Sequence, residues 1–159
     1  MPGNLAAKER AIVTLTTTGA SLTSGSAGAA NGTADFDARA AGNFPDDFQA
    51  QFEFVCQWAT VGSIAANTVS AELYLVPLID GTNLPDVDLT AGSSALPQAA
   101  FAGVFMCTKA PAAATNMRFV SPTVQFNPFL MRPYVLNRSG QIISANWSLK
   151  AVSVQGQYT

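Results

Sequence analysis

The sequence predicts an all-β chain folded as a two-sheet β-sandwich of seven or eight strands, on three observations. Short runs of alternating or β-branched residues recur along the chain. Gly, Pro, Asn and Asp separate those runs. Between them lies no long segment with the 3.6-residue period of a helix. A chain of 159 residues suits one domain and can close a core without disulfide or metal support.

The first run, 11–18, is rich in β-branched residues and stops at Gly19, so it reads as the first strand. Residues 20–34 are nearly all small or polar, offer little to bury, and are expected to form a flexible loop or a segment ordered by a partner. After an irregular stretch at 35–47, residues 51–58 place Phe52, Phe54, Cys56 and Trp58 on one face and Gln51, Glu53 and Gln57 on the other. A turn around Gly62 and Asn67 leads to 69–76, where Ala71, Leu73 and Leu75 alternate with Ser70, Glu72 and Tyr74. That strand ends in the turn signal of 77–83, and a loop with Pro85, Asp86, Asp88 and Gly92 follows. Further strands are expected at 101–107, 117–120 with 123–126, 130–136 and 144–154.

Loops of such uneven length favour a jelly roll over a regular meander. Its inner faces are expected to carry Leu15, Phe52, Phe54, Trp58, Leu73, Leu75, Val104, Phe119, Val135, Trp147 and Leu149. The organisation is an arm at 1–10 and a single domain at 11–159.

Charge is the unusual feature of the composition. Eight basic and ten acidic residues make up 11% of the chain, against about 25% in ordinary globular domains. Such a surface suits a protein buried in an assembly. The 48% of hydrophobic residues includes 27 alanines, and no stretch nears the ~20 apolar residues of a membrane-spanning helix. A net charge of −2 without a basic cluster argues against nucleic acid as a partner. The first ten residues show no export signal, which points to synthesis and use in a reducing compartment. Cys56 and Cys107, each within an apolar run, then read as buried thiols, with a disulfide between them left open.

Reactive constellations are weak. Without histidine the chain can form no Ser-His or Cys-His pair and lacks the commonest zinc ligand, and no catalytic residue, cofactor or metal is assigned. Asp80, Asn83, Asp86 and Asp88 could offer oxygens to calcium, but their spacing is not that of an EF-hand and a solvated turn explains them better. Asp46 and Asp47 near Glu53 point in different directions and make a poor glycosidase pair. Gly25, Gly28 and Gly32 lack the strand-to-helix context and the lysine of a phosphate loop. In 126–129, Pro128 reads as a strand break.

The segments 14–20, 71–83, 101–105 and 136–145 together resemble the jelly-roll virion proteins of tailed bacteriophages, among them capsid cement or decoration proteins. The resemblance implies a non-enzymatic domain, made in the bacterial host cytoplasm and placed on the virion. There it would bind the major capsid protein on the capsid surface and brace subunit boundaries. A homo-oligomer, trimer or dimer, is expected with it. The N-terminal arm supplies the interface candidates Pro2, Leu5, Lys8, Glu9 and Arg10, which could lie across a neighbouring subunit. The alternative is a carbohydrate- or receptor-binding module on a tail or head fibre, with Tyr74, Tyr134 or Tyr158 as exposed stacking faces.

Overall fold

A computed structural model describes residues 5–9, 12–29, 36–37, 49–60, 64–78, 87–88, 93–125 and 130–158. Eleven strands are found among them: β1 (Leu5–Glu9), β2 (Val13–Gly19), β3 (Ala27–Ala29), β4 (Phe36–Asp37), β5 (Gln49–Cys56), β6 (Thr68–Pro77), β7 (Phe101–Cys107), β8 (Met117–Val120), β9 (Val124–Gln125), β10 (Leu130–Asn137) and β11 (Trp147–Tyr158). A single 3-10 turn, Gln98–Ala100, precedes β7, and no α-helix occurs among the described residues.

The strands form two antiparallel sheets. Sheet 1 runs β1/β2, β11, β5, β8/β9, and sheet 2 runs β3/β4, β10, β6, β7. With β1/β2, β3/β4 and β8/β9 each taken as one interrupted strand, the chain occupies eight positions. The first pairs with the last, the second with the seventh, the third with the sixth and the fourth with the fifth. This is one long hairpin rolled over on itself, and the β11–β5 and β10–β6 pairs then zip its turns into sheets. The expected jelly-roll sandwich is the observed fold.

The strands missed in the sequence are β1, β3 and β4. Residues 5–9 are not a detached arm: β1 pairs with β11 from Leu5↔Tyr158 to Glu9↔Val154, on the same edge that β2 follows from Val13↔Ala151. Of the segment 20–34, the described residues 20–29 are not an idle loop either. Leu22 is buried and bridges Ile143, and Ala27 to Ala29 pair with Leu136 to Tyr134 of β10. Small residues are used there because the space is small: a Cβ on Gly28 would meet Leu22, and one on Gly19 would run into the Trp147 indole.

The main core lies between the sheets. Phe54 is its centre, with ring centroids of Phe105, Trp147 and Phe119 at 5.2, 5.8 and 6.1 Å, and Trp58 meets Phe119 edge-on at 5.9 Å. Ten of the eleven expected inner residues are buried. Val104 is the exception, because in β7 the inward positions are Phe105 and Cys107. A one-residue change of parity exchanges the faces of a strand, and the register shift between Leu73 and Tyr74 opposite Gly103 and Phe101 sets that parity.

Buried polar groups hold the chain crossings. Asn137 donates through Nδ2 to the carbonyls of Leu22 (2.9 Å) and Gln141 (2.7 Å) and accepts at Oδ1 from the N–H and hydroxyl of Ser139. The indoles of Trp58 and Trp147 donate to Ser139 Oγ and to the carbonyl of Ala20. Left unpaired, each such group would cost about 1–3 kcal/mol.

Candidate functional site

The two sheets differ on their outer faces. On sheet 2, alternation alone would turn Tyr74, Val76, Tyr134 and Leu136 to solvent, yet all four are buried in a second core. The connection ahead of β7 covers them, with Val87, Leu96 and Ala100 packed on the sheet. It is tied down by the Asp88–Ala95 backbone bridge and by Ser94, whose N–H reaches the carbonyl of Gly25 while its hydroxyl accepts the N–H of Ala27. Glu72 sits at the margin of this core, where its carboxylate accepts the Tyr74 hydroxyl (3.0 Å) and Arg138 Nε (3.0 Å). Burial, then the Glu72 carboxylate, pushes the Tyr74 phenol above its ordinary value, and the hydrogen bond to Glu72 holds the Arg138 guanidinium still more firmly charged.

Sheet 1 carries no comparable cover among the described residues. Its outer face shows Val120 at 58% and neighbouring Ile12 at 68% exposure, across a shallow apolar depression floored by β5 and β11. Strand parity builds this face, since the register places Glu53 opposite both Val120 and Lys150. Arg118 Nη1 meets Glu53 Oε2 at 2.6 Å, and Lys150 Nζ lies 3.6 Å from Oε1. These exposed pairs add about 0–1 kcal/mol each to stability. They leave the face with two cations around one anion, flanked by apolar side chains: a flat, mixed surface of the composition that buries well against another protein.

The residues expected to carry function are distributed as follows. Leu5, Lys8 and Glu9 lie in β1, on the edge of the sheet that carries this face, while Pro2 and Arg10 fall outside the described residues. Tyr74 and Tyr134 are buried, so their rings cannot serve as sugar-stacking platforms; nothing is described for the Tyr158 side chain. Asp88 bridges Ala95 through its backbone, and Asp80, Asn83, Asp86, Asp46, Asp47 and 126–129 lie outside the described residues. No group of three His, Cys, Asp or Glu side chains able to hold a metal occurs among the described residues. Cys56 and Cys107 are buried thiols without a disulfide, and Cys107 Sγ donates to the carbonyl of Lys109. No helix among the described residues is long and apolar enough to cross a membrane.

The sequence alone did not single out Ile12, Val120, Arg118 and Lys150. The one available signal was parity: Val120, one residue past the inward Phe119, must face outward, as must Lys150 beside inward Leu149. Comparison with models of protein families, with curated proteins and with solved structures found no match.

Proposed function

We propose that this chain is a non-catalytic structural protein that joins a large protein shell in many copies, as a capsid cement or decoration protein of a tailed phage. The open face of sheet 1 docks on the capsid subunits. The observation that carries this reading is the unequal covering of the two sheets among the described residues: sheet 2 is sealed by the chain's own connection, whereas sheet 1 leaves Ile12 and Val120 exposed. Apolar side chains exposed around an ion-pair cluster gain by burial against a partner. The low charge of the chain and the resemblance of 71–83 and 136–145 to phage jelly-roll virion proteins support the same reading. Proximity of β1 to that face gives Leu5, Lys8 and Glu9 a place at the margin of the contact.

The test is a cryo-electron microscopy comparison of native particles with particles lacking this protein, with genome loss scored after heating. The expected result is density lost from sites repeated over the shell, together with earlier genome release. Rebinding of a Val120→Lys variant should fall while its folding is unchanged. Density lost only from a tail or fibre feature would replace the cement reading with a receptor-binding one.

A further inference from the structure

Cys56 and Cys107 are the two cysteines of the chain, and the sandwich buries both in its main core. They belong to opposite sheets: Cys56 ends β5 in sheet 1, and Cys107 ends β7 in sheet 2. Both point inward, at 2% and 0% exposure.

Three observations set them side by side. Two residues before each cysteine, and so on the same face of its strand, stand Phe54 and Phe105, whose ring centroids are 5.2 Å apart across the core. The strands β5 and β7 also finish at the same end of the sandwich. Cys56 pairs with Met117 at the start of β8, and Met117 shares a groove with Met106 and Thr108, which flank Cys107. On the 108–116 connection, the Ala114 N–H bonds the carbonyl of Trp58, two residues beyond Cys56. The step from phenylalanine to cysteine therefore runs the same way in both strands and stacks the thiols beside the phenyl pair. Third, burial and then the charge of Cys107 raise the Cys56 thiol, and the second of these influences acts between near neighbours. A disulfide needs Cβ atoms about 3.5–4.5 Å apart. Phe54 and Phe105 are bulky spacers between the sheets, whereas the cysteines put only one sulfur each into the gap.

We propose that Cys56 and Cys107 are an oxidation site, closed by a low-molecular-weight disulfide such as glutathione disulfide into a bond that staples sheet 1 to sheet 2. The structure holds both as thiols and so shows the reduced form. One cysteine, as its thiolate, attacks a sulfur of the small disulfide, which forms a mixed disulfide and releases one small thiol. The other then attacks the protein-bound sulfur of that mixed disulfide and releases the second. The two cysteines lose two protons and two electrons, and the small disulfide takes up both and leaves as two thiols. Access comes while the chain folds, or when the edge strand β7 opens. The closed loop spans about 50 residues, so the bond removes much of the freedom of the unfolded chain. The inference concerns the core and stands independently of the docking face on sheet 1.

The test refolds the full chain from urea in a buffer of reduced and oxidised glutathione, beside a sample refolded in excess reductant. The expected product is a single chain about 2 Da lighter, with no thiol open to alkylation in urea and with Cys56 and Cys107 joined in unreduced peptide maps. It should regain the native tryptophan emission, melt about 4–16 °C above the reduced chain, and lose that gain on reduction. A folded chain that keeps both thiols or carries glutathione on one, a bond between two chains instead of within one, or a bridged chain that melts no higher than the reduced one would overturn the proposal.

Discussion

Replacing Asn137 with alanine probes a buried and densely bonded polar side chain. The side chain is wholly buried at the end of β10 and makes four hydrogen bonds, two donated and two accepted. At a net of about 0.5–1.5 kcal/mol each, four bonds set the scale of the loss. Some partners are partly compensated: the Leu22 carbonyl keeps the Ile143 N–H at 2.9 Å, and the Ser139 hydroxyl keeps the Trp58 indole and the Gln141 carbonyl. The expected destabilisation is therefore about 2–4 kcal/mol. That is a large share of the about 5–15 kcal/mol typical of a domain. At about 2–4 °C per kcal/mol for a chain of this length, Tm should fall by about 4–16 °C. Urea unfolding followed by tryptophan emission measures it. Asn137→Asp should be at least as damaging at neutral pH, because a carboxylate would face two carbonyl oxygens, and should recover in part as acid protonates it. A change in Asn137→Ala below about 0.5 kcal/mol, the range of indifferent surface substitutions, would refute the role assigned to this residue.

Gly19→Ala should cost more than about 2 kcal/mol or displace Trp147, because the added methyl would collide with the indole; thermal melts and the Trp emission maximum report the two outcomes. Burial and the neighbouring Cys107 push the Cys56 thiol well above its ordinary value, so Cys56 should resist alkylation at pH 8 in the native chain and react once urea unfolds it, as counted by mass spectrometry. The Tyr74 phenol is raised above its ordinary 10.0, so the native state holds that proton more tightly than the unfolded one. Its contribution is intact below pH 10.0 and is lost as pH rises through the higher native value; Tyr74→Phe should flatten the alkaline limb of a stability–pH profile.

On the proposed reading, a jelly roll that seals sheet 2 with its own chain and, among the described residues, leaves Ile12 and Val120 of sheet 1 exposed separates stability from docking. The second core beneath Val87, Leu96 and Ala100 stabilises sheet 2 whether or not a partner is present. The Ile12 and Val120 side chains gain only when another surface covers them. Substitutions on sheet 1 can then alter binding with little effect on folding, which is the division the Val120→Lys test relies on.

Alternation in the sequence determined most of the strands and nearly all of the main core. Phe52, Phe54 and Trp58, or Leu73 and Leu75, cannot all be buried unless their runs are extended, and period-2 burial needs no knowledge of the partner strand. Low charge and the absence of histidine were equally legible, being properties of composition. What only the tertiary structure decided depends on neighbours distant in sequence. Ala27 to Ala29 have no β-forming side chains and become a strand because β10 offers its edge. Leu5 to Glu9 become one because β11 extends five residues beyond its pairing with β5. Tyr74 and Tyr134 look solvent-facing by parity, and Val87, Leu96 and Ala100 of the connection ahead of β7 cover them. Val104 faces outward because an extra residue at Ala102 sets the phase of β7 against β6. A residue's own pattern fixes which of its neighbours share a face; which face is left uncovered is fixed by where the rest of the chain is placed.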